Sequence, residues 1–158
     1  MALVDRLADY QRFEDVKLTS YWDPIGQCWT IGAGHTPATE GQTISMATAM
    51  TFLNLDDGQA QAALDADPLW VVWNADHSSV VWTWRAALDD ARRDAVIELA
   101  FNMGEHTLDE FVDMHACILK ADWAGAAAAA RASAWYDEVN GDGRGDFICN
   151  LLATGVRP

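Results

Sequence analysis

The sequence predicts an α+β fold, and three observations carry that prediction. An alternating stretch at residues 16–35 holds a turn signal, Asp23-Pro24-Ile25-Gly26, and reads as a short hairpin or three-stranded sheet. Helical patterns flank it, the second of them long. The rest of the chain then reads as a succession of helices. At 158 residues the chain suits a single domain with a core of useful size.

The elements follow in order. Leu3, Leu7, Tyr10 and Glu14 lie on one stripe of a first helix, so Glu14 extends an apolar face. After the sheet, Ser45 is placed as the N-cap of a helix over 46–66, and Asp67-Pro68 ends it because proline cannot continue a helix. Residues 69–84 are dense in tryptophan, with a break at 74–79. Leu88 to Met103 reads as a central buried helix closed by Gly104, and further helices are expected over 108–120 and 122–135. The second of these contains the alanine run 126–130, the best helix former. A turn at 140–143 leads to a last helix near 144–152.

Composition removes several classes of function. The net charge is −14, and lysine occurs only at 17 and 120, so no basic stripe exists to neutralise phosphates and a nucleic-acid partner is excluded. No charge-free apolar run reaches the ~18–20 residues of a membrane span, and the N-terminus lacks a signal-peptide pattern. Cys28, Cys117 and Cys149 are odd in number with no metal-type spacing, and read as packed free thiols. Residues 140–143 resemble a calcium loop in part, but Arg144 would take a ligand position and no glutamate closes the loop. No metal and no cofactor are expected.

The chemistry concentrates between Glu14 and His35. Glu14 stands at the end of a helix, where the negative end of the macrodipole disfavours its charged form and raises its pKa. Asp23 lies nine residues on, in a turn that keeps a carboxylate ionised, and Thr30 opens the strand Thr30-Ile31-Gly32-Ala33-Gly34-His35. Two acids in different settings, one protonated and one ionised, are what glycosidic cleavage requires. Singly, each has a plainer reading: a solvated helix-end Glu, a turn Asp before proline, a strand Thr.

Taken together, Glu14, Tyr21-Trp22-Asp23 and Thr30-Ile31-Gly32-Ala33-Gly34-His35 closely resemble the lysozymes of tailed bacteriophages, a glycoside hydrolase family. Arg92-Arg93, Phe101-Asn102-Met103-Gly104, Trp123, Trp135-Tyr136, Arg144 and Thr154-Gly155 follow in the family's order. The resemblance implies a lysozyme-like α+β fold, with a small β-sheet lobe and connecting helix (about 1–66), a larger all-helical lobe (about 67–158), and the active-site cleft between them. It implies a muramidase that cuts the β-1,4 bonds between N-acetylmuramic acid and N-acetylglucosamine in peptidoglycan, with inversion and without a cofactor. Glu14 would be the general acid, and Asp23 and Thr30 would handle the attacking water. Thr36, Phe101 and Met114 would touch the glycan. His35 would pair with Asp56 to tie the sheet to the long helix, and Arg144 would orient Glu14. Such a protein is expected as a monomer, made in the host cytoplasm and acting on the cell wall, free or attached to a virion.

The chain also departs from the family. Asp15 replaces the usual glycine, Met114 stands where small polar groups are common, and the net charge is acidic where relatives are often basic. Asp23 and Thr30 are seven residues apart where six is usual, so the hairpin tip should be longer or bulged. Two alternatives remain on the sequence. Gly26-Gln27-Cys28-Trp29 looks like the nucleophile region of cysteine-dependent wall amidases and peptidases, and an inactive glycan-binding virion lobe would keep the same outline.

Overall fold

The computed structural model describes residues 3–24 and 26–157. The side chain of Leu3, on the predicted stripe, and Ile25, in the predicted turn, lie outside the described residues. The chain forms two compact units, residues 2–59 and a second spanning 60–158. The fold is α+β and lysozyme-like: a small sheet lobe and a larger helical one.

The first unit opens with α1 (Leu3–Phe13), followed by the antiparallel pair β1 (Lys17–Asp23) and β2 (Cys28–Gly32). Tyr21 faces Thr30, Trp22 faces Trp29 and Asp23 faces Cys28. The register shifts between Lys17 and Tyr21, so the bulge lies in the first half of β1. The hairpin closes over residues 24–27, with Gln27 left-handed at φ 51°. The extra residue is therefore taken up by a four-residue tip, and the pairs above it stay in step. Residues 42–44 add a partial third edge: Thr19 bridges Thr43, Ser20 N donates to Gln42 O at 2.8 Å and Ile44 N to Leu18 O at 2.9 Å.

α2 (Met46–Ala66) starts where expected, with Ser45 Oγ accepting from Thr48 N at 3.1 Å. α1 meets it through buried polar groups, where the sequence reading expected an apolar stripe. Arg6 donates to both carboxylate oxygens of Asp57 at 2.7 and 2.9 Å, and Tyr10 OH donates to the same carboxylate at 2.9 Å. Arg6, Tyr10 and Asp57 are all buried, whereas Leu7 is half-exposed. Gly32, at φ 67°, lies against Ala49 of α2, a left-handed position that favours glycine.

The second unit carries the rest. Residues 69–84 fold as a hairpin of β3 (Val71–Trp73) and β4 (Val80–Thr83) followed by α3 (Trp84–Ala87). His77 takes the positive φ of 55° that a turn glycine would normally supply. α4 (Asp90–Met103) is capped by Asp89, whose side chain accepts from Arg92 N. From Ala91 to Ala100 every residue except Arg93 is buried, as befits a central helix. The expected helices at 108–120 and 122–135 are resolved into α5 (Glu105–Leu108), α6 (Val112–Leu119), α7 (Trp123–Arg131) and α8 (Ala134–Val139). The break after α7 is made by Ser133, whose hydroxyl donates to Ala130 O at 2.7 Å and caps α8 by accepting from Tyr136 N at 3.3 Å. α9 (Arg144–Thr154) packs on α7 and α4. Arg92 reaches its C-terminal end, donating to Leu152 O at 2.8 Å and Ala153 O at 3.2 Å, while its guanidinium lies over Trp123. Among the described residues no helix is long and apolar enough to cross a membrane.

Candidate active site

Helix α1 delivers Glu14 at its end, where Glu14 N donates to Tyr10 O at 2.7 Å and leaves the side chain half-buried. Asp15 follows, exposed and 3.8 Å from Lys17 Nζ. It is not among the described residues of positive φ, so aspartate is accommodated there without left-handed strain.

Strand pairing brings Asp23 and Thr30 onto one face of the hairpin with Tyr21 and Cys28, because alternate residues share a face and Tyr21–Thr30 and Asp23–Cys28 are direct partners. Thr30 is buried at 3% exposure. Its Oγ1 lies 3.8 Å from Cys28 Sγ, a sulfur hydrogen bond in either direction. Tyr21 ties the two candidate acids together. Its phenol is pushed above its ordinary pKa of 10.0, first by burial and then by the negative charges of Asp23, Glu14 and Asp15. Lys17 Nζ, 4.2 Å from the centre of the Tyr21 ring, supplies a cation at this cluster. The sequence reading used Tyr21 only as part of a motif and did not see Lys17; that Lys17 and Tyr21 are four apart in one strand was the available signal.

His35 and Asp56 are brought together. His35 Nδ1 lies 2.9 and 3.0 Å from the two Asp56 oxygens, and the imidazole stacks on Phe52 of α2 at 4.0 Å. Its backbone exchanges both hydrogen bonds with Ile31, so one residue joins the end of β2 to α2. Thr36 follows it, exposed.

The other named residues belong to the second unit. Phe101 is half-buried in α4. Met114, at 1% exposure, helps wall a cavity of about 560 Å³ with Met103, Phe111 and Trp135 and the carboxylates Glu110, Asp113 and Glu138. Arg144 is buried at the first turn of α9, its backbone N donating to Asp142 Oδ1 at 2.9 Å. No group of three or more His, Cys, Asp or Glu among the described residues is arranged to hold a metal.

Cys28 is the first residue of strand β2, whereas an activated thiol usually stands at a helix N-terminus. Cys149, wholly buried, has its thiol pushed up to about 11 by burial.

The lysozyme-like fold and a hairpin that carries an aspartate and a threonine after a helix-end glutamate define a class of protein. Comparison with known proteins gives the family. Residues 11–145 match the phage lysozyme family, and the chain belongs to it. The chain is also similar to the pre-baseplate central spike protein Gp5 of Enterobacteria phage T4, at 27% identity over 168 aligned residues that cover 92% of this chain and 27% of that protein. The chain thus spans about a quarter of the relative it matches.

Proposed function

We propose that this chain is a peptidoglycan muramidase, hydrolysing the β-1,4 bond between N-acetylmuramic acid and N-acetylglucosamine. The observation that carries the reading is the placing of Asp23 and Thr30 on one hairpin face with Tyr21, after a helix that ends at Glu14, inside the stretch matched by the family.

Glu14 acts as general acid, protonating the leaving oxygen as the glycosidic bond breaks. Asp23 accepts a proton from a water that the Thr30 hydroxyl helps to hold, and that water attacks the anomeric carbon from the opposite face, with inversion. The Thr30–Cys28 contact restricts the hydroxyl rotor. Lys17, over the Tyr21 ring and 3.8 Å from Asp15, offsets part of the negative charge there. The His35–Asp56 pair holds the end of β2 on α2 and so keeps Thr30 in register. Thr36, Phe101 and Met114 are assigned to glycan contact. The protein acts as a monomer and needs no cofactor.

Purified peptidoglycan digested with the protein should gain new reducing ends and no new amines, which separates a glycosidase from an amidase. Glu14→Gln should remove the activity in a folded protein; clearing within tenfold of wild type would sink the assignment. Cys28→Ser should keep most of it.

The likeness to a spike protein favours a virion-attached form over a free one. Mass spectrometry of purified particles that finds no such chain would remove that reading.

A further inference from the structure

The strands that carry Asp23 and Thr30 have a second face. Because side chains alternate, the direct partners Trp22 and Trp29 lie on the side opposite Tyr21, Asp23, Cys28 and Thr30. Their rings meet edge to face, 5.8 Å between centroids and 73° between planes. A cross-strand aromatic pair accounts for some hairpin stability. It does not account for Trp22 remaining 50% exposed, with a large part of a rigid indole left in water.

The surroundings are mostly neutral hydrogen-bonding groups, with one exposed carboxylate, Glu40. Ala38 N donates to Trp29 O at 2.9 Å, Ser20 Oγ to Thr39 O at 2.8 Å and Thr39 N to Gln42 Oε1 at 3.0 Å, so residues 38–42 border the same strands with the hydroxyl of Thr39, the carboxylate of Glu40 and the amide of Gln42. An indole face is electron-rich and attracts the weakly positive C–H groups of a ligand. A chain of net charge −14 disfavours polyanions and anionic lipid. An uncharged pyranose offers a C–H face to stack and a hydroxyl and acetamido edge for neutral donors and acceptors.

We propose that the Trp22–Trp29 face is an accessory platform that stacks an uncharged N-acetylated sugar ring of a glycan strand, on the side of the hairpin turned away from Asp23 and Thr30. Its role is retention: it holds the protein on an insoluble polymer between cleavage events. The choice of ligand rests on the muramidase reading above.

The test uses the whole chain carrying Glu14→Gln and a hexamer of N-acetylglucosamine as probe. Tryptophan oxidation by N-bromosuccinimide, mapped by peptide mass spectrometry, should slow about tenfold at Trp22 under saturating hexamer. On insoluble peptidoglycan, Trp22→Ala should weaken retention by about the same factor, and Trp22→Tyr, which keeps a ring, should restore most of it. The oxidation measurement needs no substitution at Trp22, so it decides the matter even where Trp22→Ala fails to fold. Trp22 oxidised at one rate with and without hexamer overturns the platform. So does protection that appears without sugar and follows dimer formation in the ultracentrifuge, which would assign the face to a second copy of the chain. Protection at Trp22 together with a wild-type protein that releases no reducing ends would instead retain the platform and remove the muramidase reading.

Discussion

Asp23 and Gly26 press against each other across the hairpin tip: a Cβ at residue 26 would stand 2.8 Å from Asp23 Oδ2 and 3.2 Å from Cys28 Sγ. The absence of a side chain at Gly26 is thus what allows the aspartate carboxylate its place. Gly26→Ala should turn that carboxylate aside. Since misplacing a catalytic group by about 1 Å can cost around 100-fold in rate, release of reducing ends should fall by one to two orders of magnitude while the melting temperature barely moves. Wild-type turnover by Gly26→Ala would separate Asp23 from the reaction.

The Arg6–Asp57–Tyr10 network should dominate the stability of the first unit. Removing one partner of a buried ion pair leaves an uncompensated charge, at about 3–5 kcal/mol, so Asp57→Ala should lower the unfolding free energy in urea by roughly that much. Tyr10→Phe, which deletes a single hydrogen bond to a charged group, should cost about 1.5–3 kcal/mol. An Asp57→Ala loss smaller than that of Tyr10→Phe would mean that the pair contributes little.

Asp65 gives a pH signature in the second unit. Hydrogen bonds from Arg85, at 2.6 and 2.7 Å, hold its carboxyl below the ordinary value of 3.8, and burial opposes them. A carboxyl lowered on folding contributes stability above its unfolded pKa and loses it as the pH falls through the folded value. The melting-temperature gap between wild type and Asp65→Asn should therefore be constant near neutrality and close below about pH 3.8. Both partners are more than 40% exposed, which keeps the gap small, within about 1 kcal/mol. A gap that widens in acid would reverse the sign of the shift.

Thiol labelling should rank the cysteines. With its thiol pushed up to about 11 and no exposed surface, Cys149 should resist alkylation at pH 8 until the protein unfolds. Cys28 and Cys117 are both partly exposed and should react first. Early modification of Cys149, seen by peptide mapping, would indicate local opening of α9.

The net charge of −14 should make wall lysis rise with salt. Repulsion from an anionic wall is screened as the Debye length shrinks from about 30 Å at 10 mM to about 8 Å at 150 mM. Initial clearing rates of one permeabilised cell preparation across that range at fixed pH provide the measurement. A steady fall would mean that local attraction outweighs the net charge.

Where a local signal existed, the sequence was readable. Ser45 and Pro68 bracketed α2, the turn signal located the β1–β2 tip, and the family resemblance picked out Asp56 as the partner of His35. What escaped depended on partners far along the chain. Arg6 reads as a solvated helix residue until Asp57, fifty-one positions away, is folded against it. Arg92 reads likewise until the end of α9 arrives. The β3–β4 hairpin was hidden because His77, not glycine, holds its turn. The division between α7 and α8 was hidden because the alanine run before Ser133 reads as helix that continues through it.

Tyr21 has one more consequence. Its phenol stands in the field of Asp23 and Glu14, so any change in their charge also alters the field at the ring. The tyrosine is a native observer of both acids. With a single isotopic label in that ring, nuclear magnetic resonance can follow their ionisation, and the arrival of a ligand, without touching either carboxylate.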